Sequence, residues 1–78
     1  MSGVRKRSVS IRGHRTSFSV EDEFFAELRM IAGRSGQSLA SLIAAIDENR
    51  PPESNLSSAI RLFVLRELKG QLPDSRQD

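Results

Sequence analysis

The order of three short pieces between Arg15 and Ile46 constrains this chain most. A strand-like run, Arg15-Thr16-Ser17-Phe18-Ser19-Val20, passes without a loop into an amphipathic helix, and a Gly36-Gln37-Ser38 break opens a second helix. One strand and two short helices cannot close a core alone, because a lone strand leaves its backbone groups unpaired. The obvious partner is the same strand of a second copy. Period two puts Thr16, Phe18 and Val20 on one face and Arg15, Ser17 and Ser19 on the other, so only one face can meet the core. Two such strands would make a ribbon that carries Arg15, Ser17 and Ser19 outward.

A length of 78 residues allows one small domain, and chains of this size usually need disulfides, a metal or a partner for stability. The chain has no cysteine and a single histidine, His14, which excludes disulfides and Cys- or His-rich metal sites. Oligomerisation is the remaining route, and an obligate homodimer is expected. No apolar run approaches a bilayer span, and no apolar stretch follows the charged N-terminus as in a secretory signal, so no membrane association and a cytoplasmic location are expected.

The formal charge of +2 is unevenly spread. Residues 1–15 hold Arg5, Lys6, Arg7, Arg12 and Arg15 against no acid, whereas residues 16–50 carry a net negative charge and the rest balances. A basic segment beside a mildly acidic body is the asymmetry of a polyanion binder. Two such segments on one dimer would attract phosphates over a Debye length.

In chain order, residues 1–7 read as a flexible basic arm. Ser8-Val9-Ser10-Ile11-Arg12 alternates polar and apolar as a first strand segment, with Gly13 as a bend or bulge. Glu21-Asp22-Glu23 suits the positive end of a helix dipole, with Ser19 or Glu21 as its cap. Phe24, Phe25, Leu28, Ile31 and Ala32 then form a stripe of helical period. Gly36 fits the left-handed end of that helix, and Ser38 the N-cap of a second with Leu39, Leu42, Ile43 and Ile46 on its apolar side. Pro51-Pro52 stops it, and Ser54 or Asn55 caps a third helix running to about Gly70. This third helix is apolar nearly all round between Leu62 and Leu65, which implies two packing partners, one from the other subunit. The domain is expected over 8–70, with 71–78 a frayed tail. The expected shared core is Phe18, Val20, Phe24, Leu28, Ile31, Leu42, Ile43, Ile46, Ile60 and Phe63.

Three features carry binding chemistry. Arg pairs bidentately with guanine O6 and N7 and Ser serves either base type, so Arg15, Ser17 and Ser19 at alternate positions suit a DNA major groove. Spacing alone also describes the solvated face of an ordinary edge strand. The free N–H groups at Gln37–Ala40, with the Ser38 hydroxyl, suit a DNA phosphate, although every helix needs an N-cap. Arg5, Lys6, Arg7, Arg12 and His14 suit phosphate contacts, or belong to a solubilising tail. With no cysteine, no second histidine and no phosphate-binding glycine loop, the sequence offers no enzyme and calls for no cofactor or metal.

The residues from Arg15 to Ile46 resemble the ribbon-helix-helix fold of Arc- and MetJ-type repressors. Lys6-Arg7-Ser8-Val9-Ser10-Ile11-Arg12-Gly13-His14-Arg15-Thr16-Ser17, Glu21-Asp22-Glu23-Phe24-Phe25 and Asn55-Leu56-Ser57-Ser58-Ala59-Ile60-Arg61 point to a bacterial subfamily with an added C-terminal helix. The resemblance implies a mainly α fold with one N-terminal strand and three helices per chain, in an intertwined homodimer whose two-stranded antiparallel ribbon enters the major groove. It implies base reading by Arg15, Ser17 and Ser19, and phosphate binding at Gln37 and Ser38. Serine at two of the three reader positions departs from a strongly discriminating set.

The expectation is therefore a cytoplasmic, nucleoid-associated homodimer that binds double-stranded DNA as a transcriptional repressor. The alternatives are an antitoxin-like or other interaction module docking a protein partner through its third helix, and an architectural binder without sequence preference.

Overall fold

The computed structural model describes residues 3–71. Two strands, β1 (Val4–Ile11) and β2 (His14–Glu21), precede three helices, α1 (Asp22–Arg34), α2 (Leu39–Asn49) and α3 (Leu56–Gln71). The strands form one antiparallel hairpin with eight paired positions, from Val4 opposite Glu21 to Ile11 opposite His14. Arg12 (φ 51°) and Gly13 (φ 80°) make the two-residue turn, and two successive left-handed residues match the right-handed twist of the strands they join.

This hairpin corrects two expectations. The chain contains two strands, not one, with β1 lying antiparallel along β2. Residues 4–7 are also strand and not arm; the first two arm residues, and 72–78 of the expected tail, lie outside the described residues. The physical reason lies on the inward face of β1. Arg5 and Arg7 both reach Asp22, at 3.3 and 2.6 Å, and the Arg7 guanidinium sits 3.7 Å from the Phe25 ring centroid. These contacts hold a basic segment that would otherwise repel itself into solvent.

The helix ends follow the sequence closely. Gly36 (φ 72°) ends α1, with its N–H donating to Gly33 O and the Gln37 N–H to Ala32 O. Ser38 Oγ accepts from the Ser41 N–H, and Asn55 Oδ1 from the Ser58 N–H. The start of α1 differs: Glu21 occupies the N-cap position but makes no side-chain cap, because its carboxylate is turned to Arg61 of α3.

The core gathers Phe18 and Val20 from β2, Leu28 and Ile31 from α1, Leu42, Ile43 and Ile46 from α2, and Ile60 from α3, as expected. Ile11, Ala32, Leu56 and Val64 join it, whereas Phe24 and Phe63 are only half-buried. Phe18 and Phe25 stack with centroids 6.4 Å apart. Within the single chain, Leu62 and Leu65 remain 46% and 49% exposed.

Candidate nucleic-acid interface

Directly paired residues of an antiparallel ladder share a face, so the register sorts every hairpin side chain. Arg5–Val20, Arg7–Phe18, Val9–Thr16 and Ile11–His14 lie on the helix side. Lys6–Ser19, Ser8–Ser17 and Ser10–Arg15 lie on the outer side, followed at the open end by Val4–Glu21. Exposure alternates accordingly: Phe18 and Val20 are buried, Ser19 is half-buried, and Arg15 and Ser17 are exposed. The structure therefore brings Arg15, Ser17 and Ser19 together in one outward row.

That outer surface is cationic and rich in hydroxyls. Neither Lys6 nor Arg15 forms an ion pair among the described residues, and their ends are free to meet a polyanion. Among the described residues of the hairpin the only carboxylate is that of Glu21, at the strand end. Its pKa is held below the ordinary value of 4.5 by a backbone hydrogen bond first and by the Arg61 guanidinium second. Glu21 is thus ionised at neutral pH, with part of its charge matched by Arg61 at 3.0 Å.

The remaining basic residues divide. Arg5 and Arg7 lie on the helix side, both on Asp22, and the Arg7 side chain is only 23% exposed. Arg12 projects from the turn and pairs with Glu48 near the end of α2, 2.6 Å away. His14 is exposed beside the turn. The contact between Arg12 and Glu48 sets the hairpin tip beside the last turn of α2. Ser38, at the start of that 11-residue helix, consequently stands about 15 Å along its axis from the tip. Gln37 and Ser38 are exposed; Gln37 Nε2 donates to Ser35 Oγ, and the amides of Leu39 and Ala40 have no acceptor inside the helix. One chain thus holds the outward row and the phosphate-suited helix start as separate surfaces.

Sequence reasoning passed over the contacts between α3 and the free edge of β2. Ser57 Oγ accepts from the Ser19 N–H at 2.8 Å, and Arg61 donates to the Ser19 carbonyl at 3.3 Å. These partners are 38 and 42 residues from Ser19, and no local pattern signals them.

A family profile described as a ribbon-helix-helix domain matches residues 4–68. The chain belongs to the ribbon-helix-helix family. Domains of this family are generally DNA-binding transcription regulators or antitoxins and typically bind DNA as dimers, a regulatory role and not typically an enzymatic one. Neither curated proteins nor solved structures yielded a match to the chain. No helix among the described residues is long and apolar enough to cross a membrane.

Proposed function

We propose that this ribbon-helix-helix protein is a homodimer that binds double-stranded DNA and acts as a transcriptional repressor in the cytoplasm, on the nucleoid. The observation that carries the reading is the outward row of Arg15, Ser17 and Ser19, a guanidinium without an ion pair among the described residues and two hydroxyls at alternate positions. A two-stranded ribbon fits the major groove, where arginine can pair with guanine and serine with either base type. Lys6 on the outer side and the exposed imidazole of His14 beside the turn would meet phosphate, and Gln37 and Ser38 offer a neutral phosphate seat on the α2 start. Arg5, Arg7 and Arg12 would join them only by leaving Asp22 and Glu48.

Dimerisation is supported by the apolar side of α2 and α3. An open groove of about 420 Å³ there is lined by Leu42, Ala45, Ile46, Ala59, Leu62 and Phe63, among others. Covering it would remove the exposed Leu62 from water, which favours association by about 25 cal/mol per Å² of apolar surface. The same surface favours the second reading, an antitoxin-like module whose third helix docks another protein.

In vitro selection from a random duplex library at physiological salt tests this proposal, with Arg15→Ala beside the wild type. Enrichment of an inverted repeat that the variant no longer selects is the expected result. Retention of DNA without enrichment would indicate a non-specific architectural binder, and no retention would favour the protein-docking module.

A further inference from the structure

We infer that Ser57 and Arg61 of α3 are positioning residues for the base-reading surface: they hold the backbone of Ser19, and so set where the Ser19 hydroxyl meets DNA. This rests on the DNA-binding reading above and adds to it a source of specificity that never touches the duplex.

Helical period selects the face. Ser57, Ile60, Arg61 and Val64 fall at i, i+3, i+4 and i+7 of α3 and share one side. Ile60 and Val64 are fully buried in the core, and the same side turns Ser57 and Arg61 to β2. Ser57 Oγ accepts from the Ser19 N–H at 2.8 Å, and Arg61 Nη2 donates to the Ser19 carbonyl at 3.3 Å. Both backbone groups of one strand residue are thus taken by one helix. Arg61 Nε also donates to Glu21 Oε1 at 3.0 Å, and the guanidinium lies 6.0 Å from the Phe24 ring centroid. A carboxylate and a ring therefore steady the arginine that holds Ser19.

Members of the outward row differ in how far they depend on such support. Arg15 reaches through a long stem and can meet a base from several backbone positions. A serine hydroxyl sits directly on Cβ, so the strand itself places it. Groups that recognise a ligand need supporting residues that hold them to within about 0.5 Å. Ser19 needs this most, because it stands close to where β2 gives way to α1.

The contact also leaves room for a ribbon shared by two copies. By the ladder's alternation the backbone groups of Arg15 and Ser17 turn to the same edge as those of Ser19. Among the described residues α3 bonds neither of them, so a second copy's strand can pair there.

The test compares full-length wild type, Ser57→Ala and Ser57→Thr by amide hydrogen exchange without DNA and by selection on the random duplex library. In Ser57→Ala the Ser19 amide should exchange about two- to tenfold faster. Preference should relax by about the same factor at the base pair that Ser19→Ala relaxes, with the pair read by Arg15 unchanged. Threonine keeps the hydroxyl and should restore both readouts. Arg61→Lys keeps a cation beside Glu21 but gives up the fork that also spans the Ser19 carbonyl, and should relax the same base pair. A purely structural role would lower the melting temperature and weaken binding to every duplex alike, with the base profile unchanged; that result would overturn the inference. A Ser19 amide equally protected in Ser57→Ala would overturn it too, since the N–H would then be held by another group, such as a second copy's strand. If the wild type enriches no site, the DNA-binding reading fails and the specificity role with it. If the wild type enriches a site and Ser57→Ala enriches it with the same profile, the positioning role alone fails.

Discussion

The inward and outward faces of the hairpin both carry basic side chains, but only the inward one sets them against carboxylates. Inward, Arg5 and Arg7 converge on Asp22, and the Arg7 guanidinium sits over the Phe25 ring. Outward, Lys6 and Arg15 stand among four serines and form no ion pair among the described residues. Neighbouring positions in one basic segment thus serve opposite ends. Arg7 is a packing residue whose stem and ring-facing guanidinium extend the core, whereas Lys6, one residue away, is left for a partner. Net charge along the sequence locates the segment; strand register decides which of its charges are free.

Core and outer-face substitutions should separate sharply. Phe18→Ala, directly under the hairpin, should cost about 3–5 kcal/mol, a large share of the stability of so small a domain. Ser17→Ala, one residue earlier and outward, should stay within about 0.5 kcal/mol, as chemical denaturation would show. Equal losses would mean that the outward row is buried in the free protein.

A smaller contrast is expected between two arginines. Arg7→Ala should lower stability by about 1–2 kcal/mol through loss of the Phe25 stack and the Asp22 pair, with little change in base preference. Arg15→Ala should do the reverse, costing about 1–3 kcal/mol of discrimination at one base pair and leaving the melting temperature nearly unchanged. If Arg7→Ala relaxed the selected site as Arg15→Ala does, the division of the hairpin into two faces would fail.

The turn offers a finer test. Arg12→Asn places a residue suited to a left-handed turn at the tip and gives up an exposed ion pair to Glu48. Stability should be unchanged or raised by about 0.5 kcal/mol. A clear fall in melting temperature would show that the ion pair, and not the turn, holds the tip.

The least effect concerns the α3 contact with the β2 edge. Glu21 has a folded pKa below 4.5, so its contribution is fully present above 4.5 and is lost as pH falls through the folded value. Below that value Arg61 loses its charged partner. The stability gap between wild type and Glu21→Gln should therefore narrow in acid; a gap that persists at low pH would remove the ionised carboxylate from the account.

Much of this arrangement was legible in the sequence where short-range physics governs. Alternation along Thr16–Val20, the left-handed Gly36, the Ser38 and Asn55 caps and most of the core follow from period, backbone and capping chemistry. The run Arg5-Lys6-Arg7 hid the start of β1, because consecutive cations mask an alternation that resolves only when Arg7 meets Asp22, 15 residues on. Gly13 was readable as a bend, but a hairpin requires Arg12 also to turn left-handed, which arginine does not advertise. Val64 replaced Phe63 as the buried member of α3 because the helix is apolar nearly all round, and rotation about its axis is set by Ser57 and Arg61 on the β2 edge. Alternation alone places Arg15, Ser17 and Ser19 on one face, while the strand beside them needs the register.

The most direct measurement of the central claim is an NMR titration of isotope-labelled protein with a duplex carrying the selected site, at physiological salt. Amide shifts concentrated on Lys6 and Arg15–Ser19, with Leu62, Phe63 and Leu65 unmoved, are the predicted result. Shifts concentrated on Leu62–Leu65, with the outward hairpin residues unmoved, would contradict it.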